Sequence, residues 1–93
     1  SVTPTNDQWV ADYVSAANEL VAKHGGSYLA RTSNHQRLEG AGTDAAMHII
    51  IRWPSQAAAL AFMKDPAYAP YLRARTSGSE SHHFLIEGRD ELA

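Results

Sequence analysis

Residues 9–32 read WVADYVSAANELVAKHGGSYLART, and this stretch decides the fold. Apolar side chains recur three and four residues apart from Trp9 to Val21, which predicts an amphipathic helix with one buried stripe. The glycine pair at 25–26 is typical of a helix end, because glycine adopts the left-handed conformation that stops a helix. Residues 27–33 then alternate between two sets of side chains, as a strand does. The chain therefore contains a helix that leads directly into a strand.

The other elements are predicted from capping residues, periodicity and breakers. Thr5 and Gln8 have the spacing of a capping box, so the first helix is expected to begin there. The remaining predictions are a strand at 46–53 that Pro54 ends, a helix capped by Ser55 and running to Lys64, a short helix beginning near Pro70, and a last strand at 82–87.

This order lacks only an opening strand. A ferredoxin-like βαββαβ unit begins with a strand, and residues 1–4 alone are left to supply it. The first strand is therefore expected to be short or truncated. A length of 93 residues allows a single α+β domain, residues 1–93, with one small core.

Composition argues against several classes of function. A formal charge of −2 and a pI near 6.2 do not suit a nucleic-acid partner, because phosphate binding needs a basic face. The absence of cysteine excludes thiolate nucleophiles and Cys-ligated zinc. The most apolar stretch, 45–51, is too short for a membrane helix, and residues 1–6 lack a signal-peptide pattern. We therefore expect a cytoplasmic protein with no membrane partner.

No motif points to a metal or a cofactor. His82 and His83 are neighbours on a predicted strand, so their side chains point to opposite faces and do not readily share one ion. The sequence has no His-Glu-x-x-His motif, no phosphate-binding glycine loop and no Gly-x-Ser-x-Gly motif. A protein without a metal site and without a cofactor is therefore expected.

Several short motifs in a fixed order carry a resemblance to a known family. In chain order they are Tyr13-Val14, Gly25-Gly26 followed by Tyr28-Leu29-Ala30-Arg31, Leu38-Glu39-Gly40, Ile49-Ile50-Ile51-Arg52-Trp53-Pro54-Ser55, Asp65-Pro66-Ala67-Tyr68 with Arg75 after it, and Glu87-Gly88. The sequence resembles domain of unknown function family 1330, within the dimeric α/β-barrel superfamily. It departs from the family at Thr32-Ser33, where a glycine pair is usual, and at Trp53, where phenylalanine is usual.

The resemblance implies a four-stranded antiparallel sheet with two helices on one face, and a homodimer in which two open sheet faces join to form a dimeric α/β barrel. A chain this short buries only about 60–65% of its unfolded surface, so a second copy would usefully cover the open face. Superfamily relatives include cofactor-free monooxygenases, polyketide cyclases, haem-degrading enzymes and muconolactone-type isomerases. The implied function is that of a cofactor-independent enzyme acting on a small acidic or enolisable organic ligand. The alternative is a non-catalytic homodimeric binding or structural module.

Five residues are candidates for acid/base chemistry on such a ligand. His48 would transfer the proton, with Glu39 assisting. Arg31 and Arg75, which match arginines of the family, and the hydroxyl of Tyr68 would bind the substrate.

Each candidate also has a purely structural interpretation. His48 would be hydrogen-bonded in the core or at a dimer contact, and Arg31 would form a salt bridge to Glu39 across the hairpin. Tyr68 would be a core residue with a satisfied hydroxyl, and Arg75 would cover carbonyls at the end of a helix. Both interpretations of each residue stay open at this point.

Overall fold

The computed structural model describes all 93 residues and shows an α+β protein with three helices and two small antiparallel sheets. The elements in chain order are β1 (Val2–Pro4), α1 (Val10–Lys23), β2 (Ser27–Thr32), β3 (His48–Arg52), α2 (Gln56–Lys64), α3 (Ala69–Ser77) and β4 (Ser79–Ser81). The α+β class and the short first strand are therefore confirmed.

The strands pair as two ladders rather than as one continuous sheet. β1 pairs with β4, and β2 pairs with β3, both antiparallel. An isolated antiparallel bridge joins Val2 in β1 to Met47, the residue before β3. The two residues exchange backbone hydrogen bonds of 2.9 Å in each direction. The predicted four-stranded sheet is thus found only as two two-stranded ladders that touch at one bridge.

The first helix begins later than its capping pattern predicts. Trp9 occupies the N-cap position and α1 starts at Val10, so the capping box expected at Thr5 and Gln8 does not form. The Thr5 amide donates instead to the carbonyl of Gly78, 2.8 Å away, which extends the path of β1 beside β4. This long-range bond keeps the chain extended at Thr5. The predicted helix end is confirmed, since Gly25 follows the helix with a positive φ of 81°.

An irregularity in β2 sets which side chains face the helices. Tyr28 is opposite Ile51 whereas Ala30 is opposite Ile50, so Leu29 is an extra residue in the ladder. Such a bulge shifts the alternation of side chains by one position. It places Tyr28 and Arg31 on the same face, with the Arg31 guanidinium 3.9 Å from the Tyr28 ring centroid.

The last strand differs from its predicted position. β4 covers Ser79–Ser81 rather than 82–87, and the only continuation is at His82, whose amide donates to the Ser1 carbonyl at 3.0 Å. Residues 83–87 find no neighbouring strand and adopt no regular structure, although their sequence alternates as a strand does. Phe84 and Ile86 are consequently 83% and 82% exposed.

The core is small and lies between the helices and the β2–β3 ladder. Its fully buried members are Val21 of α1, Phe62 of α2 and Tyr68, which precedes α3. The predicted Ser55 cap is confirmed, since its hydroxyl accepts a hydrogen bond from the amide of Ala58 at 3.1 Å. None of the three helices has the length and apolar character needed to cross a bilayer.

Candidate functional site

A cleft of about 1370 Å³ lies between the helices, the β-ladders and the segment after β4. Hydrophobic residues make up 21 of the 32 that line it, and the rings of Trp9, Tyr13 and Tyr28 are among them. Small-molecule pockets measure roughly 300–1000 Å³, so a small ligand would fill only part of this space. The polar groups that converge in the cleft therefore decide where a ligand would sit.

Arg75 is the most unusual of these polar groups. It lies in the last turn of α3, on the face that Leu72 and Tyr68 turn toward the core, and only 7% of its surface is exposed. It takes part in none of the ion pairs of the chain, and its buried Nε has no hydrogen-bond partner. Burying a charge that no carboxylate balances costs free energy, so Arg75 provides a site at which a bound anion would be stabilised.

Two tyrosine hydroxyls lie beside Arg75. The hydroxyl oxygens of Tyr13 and Tyr68 are 2.6 Å apart, and the Arg75 Cζ is 5.8 Å from the Tyr13 ring centroid. Burial, followed by the hydrogen bond with Tyr68, holds the pKa of Tyr13 well above its usual range. Tyr13 is therefore a neutral phenol at physiological pH. Because one hydroxyl donates to the other, the pair keeps one proton free to donate to a ligand.

Arg31 lines the more exposed part of the cleft. Its Nη1 donates to Oδ1 of Asn18 on α1 at 2.6 Å, and its guanidinium covers the Tyr28 ring. Glu39 is exposed and forms no ion pair, so the predicted salt bridge between Arg31 and Glu39 is wrong. The bulge in β2 is the reason, because it turns Arg31 toward α1 rather than toward the hairpin connection.

His83 also lines the cleft. Ser79 and Ser81 turn toward α3, where the Ser79 hydroxyl donates to the Arg75 carbonyl and lies 2.6 Å from the Ser81 hydroxyl. In an extended chain the next side chain on this face is that of His83. Partial burial, followed by the charges of Arg75 and of the N-terminus, lowers the pKa of the His83 imidazole.

Three of the five predicted site residues, Arg31, Tyr68 and Arg75, line this cleft, whereas His48 and Glu39 do not. His48 begins β3 and packs against His35, with ring centroids 4.4 Å apart. Nowhere in the chain do three or more histidine or acidic side chains gather closely enough to hold a metal ion.

Sequence reasoning missed two residues of the cleft, Tyr13 and His83. The helical period assigned Tyr13 to the buried stripe of α1. That pattern does not indicate which residues its hydroxyl group contacts. His83 was considered only as a partner of His82 in a metal site. No local signal in the sequence placed His83 at the cleft.

The family of the chain follows from a comparison with protein-family models. The model of the family described as Domain of unknown function (DUF1330) matches residues 1–89. This chain is a DUF1330 protein. A comparison with curated proteins finds no match to it. The part of a DUF1330 protein that defines the family thus includes all of the cleft residues described above.

Proposed function

We propose that this DUF1330 protein binds a small organic acid in the cleft, with the carboxylate of the ligand on Arg75. The observation that supports this proposal is the buried Arg75 guanidinium, which has no acidic partner and an unpaired Nε. A guanidinium presents its N–H groups in a planar fork that matches a carboxylate, and such charge-assisted pairs are among the stronger hydrogen bonds in proteins.

The surroundings of Arg75 define the rest of the ligand. The free hydroxyl proton of the Tyr13–Tyr68 pair suits an oxygen close to the carboxylate. The rings of Trp9 and Tyr28 suit an apolar or aromatic body. Arg31 adds a second positive charge without a carboxylate partner, which attracts anions toward the open side of the cleft. The ligand class is therefore an organic acid with an apolar body.

A role in handling a ligand suits this cleft better than a purely structural role. An open concavity with convergent polar groups is what a ligand site requires, whereas a structural dimer would fill the space with side chains. Both an enzyme that works by acid/base chemistry without a cofactor and a non-catalytic binding module would use such a site. The anion on Arg75 is common to the two.

The same proposal includes a ferredoxin-like sheet and a homodimer of the dimeric α/β-barrel type. The Val2–Met47 bridge supports the sheet, because it sets β1 beside β3 in the strand order β4, β1, β3, β2. Leu29 of β2 and Ile50 of β3 line the cleft and are still 64% and 57% exposed, and this exposed apolar surface supports a second copy as the partner.

Calorimetric titration with benzoate and with neutral benzamide tests the anion site. Benzoate should bind and benzamide should not, because the two differ mainly in charge. Arg75→Gln should weaken benzoate binding roughly 10- to 100-fold, as expected when a charge-assisted hydrogen bond is lost. Arg73→Gln is the matched control, since Arg73 lies on the same helix but is exposed and does not line the cleft.

Two results would contradict the proposal. One is equal binding of benzoate and benzamide by the parent protein. The other is benzoate binding that survives Arg75→Gln in a variant whose circular dichroism spectrum matches that of the parent. Loss of binding in Arg73→Gln as well would indicate a general charge effect rather than a site.

A further inference from the structure

We propose that His83 is the catalytic base of this cleft, and that the bound acid is a 2-oxo acid whose C3 proton His83 removes. The inference rests on the anion site proposed for Arg75 and goes beyond it by naming a reaction and the group that performs it. The observation that carries it is the placement of an imidazole, a guanidinium and a phenol around one cavity.

His83 follows the end of the β1–β4 ladder. β1 and β4 pair in antiparallel register from Val2 opposite Ser81, and the pairing continues to Ser1 opposite His82. The imidazole of His82, which also lines the cleft, lies 3.9 Å from the Glu80 carboxylate. His83 is the next residue and lines the same cleft as Arg75 and Tyr13.

The protonation state of His83 suits a base. Arg75 and partial burial both favour the neutral imidazole, whose free ring nitrogen accepts a proton. No carboxylate forms an ion pair with His83, so none offsets this effect. Tyr13 stays protonated for the reason given above, so the Tyr13–Tyr68 pair keeps a proton to donate. The cleft thus offers one acceptor and two kinds of donor at neutral pH.

The reaction is a proton transfer that consumes no other reagent. The His83 nitrogen takes the proton from C3 of the 2-oxo acid, and the C3–H electron pair becomes the C2–C3 double bond. The electron pair of the ketone moves to its oxygen, where the free proton of the tyrosine pair stabilises the enolate while Arg75 holds the carboxylate. The imidazolium then returns its proton to oxygen, which gives the enol, or to C3, which restores the ketone.

His48, which the sequence predicted to transfer the proton, does not line the cleft. His48 is on the side of β3 that carries Ile50 and packs against His35. Of the five histidines of the chain, His82 and His83 line the cleft that also holds Arg75 and Tyr13.

Deuterium incorporation at C3 of phenylpyruvate, followed by proton NMR in heavy water, tests the inference. Phenylpyruvate carries a carboxylate, a ketone, acidic C3 protons and an aromatic ring. The parent protein should accelerate exchange above the rate in buffer. His83→Ala should lower the protein-dependent rate roughly 100-fold or more, the range expected for loss of a general base, while the Kd for phenylpyruvate stays nearly unchanged. His35→Ala, at an exposed histidine that does not line the cleft, should keep the parental rate.

The outcomes separate this inference from the anion site on which it rests. Phenylpyruvate that binds without faster exchange, or exchange that survives His83→Ala, would overturn the role of His83 and leave the anion site intact. A protein that binds neither benzoate nor phenylpyruvate would overturn both. Equal losses in His83→Ala and His35→Ala would indicate an effect unrelated to the cleft and would also count against His83 as the base.

Discussion

At the scale of single residues, Arg75 illustrates a conflict between stability and binding. The face of α3 that carries Leu72 is otherwise apolar, and a hydrocarbon side chain at position 75 would avoid the cost of burying a charge. The protein instead keeps a guanidinium there and leaves its Nε without a partner. Unfavourable local choices of this kind are typical of binding sites, where they are compensated when the ligand arrives.

Gly78 is a second residue whose identity is set by its neighbour. It lies at the C-terminus of α3, where its carbonyl accepts a hydrogen bond of 2.9 Å from the indole Nε1 of Trp9. A Cβ atom at Gly78 would overlap the indole ring. The position requires glycine for space, since its φ of −101° is accessible to any residue.

Gly78→Ala should therefore destabilise the protein by about 1–3 kcal/mol, the usual cost of forcing extra volume into a packed site. Urea unfolding followed by tryptophan fluorescence measures the change, and Trp9 itself reports on it. Gly88→Ala is the matched control, because nothing lies within 4 Å of a Cβ at that position. Equal stabilities of the two variants would show that Trp9 moves aside freely.

Residue types were predictable from the sequence, whereas their partners were not. Arg31, Tyr68 and Arg75 were candidates for the site and do line the cleft. The bond from Arg31 to Asn18 depends on one extra residue in β2, and alternation alone does not reveal that residue. The tyrosine pair joins residues 55 positions apart, so only the packing of α1 against α3 brings the two hydroxyls together.

At the scale of helices and strands, the elements with strong local signals were predicted well. α2 has its cap at Ser55 and stops at Asp65-Pro66, and α1 stops at its glycines, because these signals act within one turn of the chain. The start of α1 and the position of β4 were wrong. Both depend on backbone bonds to distant residues, Thr5 to Gly78 and His82 to Ser1, which compete successfully with the local pattern.

Asp65 connects three of these elements. Its carboxylate accepts hydrogen bonds from His24 Nε2 at 2.8 Å, Lys23 Nζ at 2.9 Å and the Ala67 amide at 2.9 Å. It therefore fixes the end of α1 against the turn between α2 and α3. These bonds, that of His24 first and that of Lys23 second, hold the pKa of Asp65 well below its usual range.

The lowered pKa of Asp65 predicts acid sensitivity. The folded state binds this proton less tightly than the unfolded state, so the stabilisation is fully present above the unfolded pKa and declines as the pH falls below about 4. The Tm of the parent protein should drop steeply in that range. Asp65→Asn should lower the Tm at pH 7 and flatten its dependence on pH. Asp90→Asn, in the exposed tail, is the control, and a parental pH profile in Asp65→Asn would contradict the assignment.

At the scale of the whole molecule, a single chain buries few of its residues. Only 8 of 93 residues are buried, and the radius of gyration is 14.2 Å, against about 12 Å for a compact domain of this length. The extended segment after β4 contributes to the excess, with Phe84 and Ile86 exposed. A protein with so small a core gains more stability than most when a second copy covers its open face.

Sedimentation velocity at micromolar concentration tests the proposed homodimer. The parent protein should sediment as a dimer, and Ile50→Lys should shift it toward the monomer, because the substitution places a charge on the exposed face of β3. Leu92→Lys is the control, since Leu92 is 96% exposed in the tail. A compact parental monomer at that concentration would contradict the proposal.

The single bridge between Val2 and Met47 is a weak point between the two ladders. Each ladder is held by its own row of backbone bonds, whereas separating one ladder from the other at this point breaks only two. Local opening begins at the weakest set of contacts, so separating the two ladders there costs less free energy than unpairing the strands of either ladder. Both ladders line the cleft. Opening at the Val2–Met47 bridge would let the two ladders move apart and admit a ligand while each ladder keeps its own strand pairing.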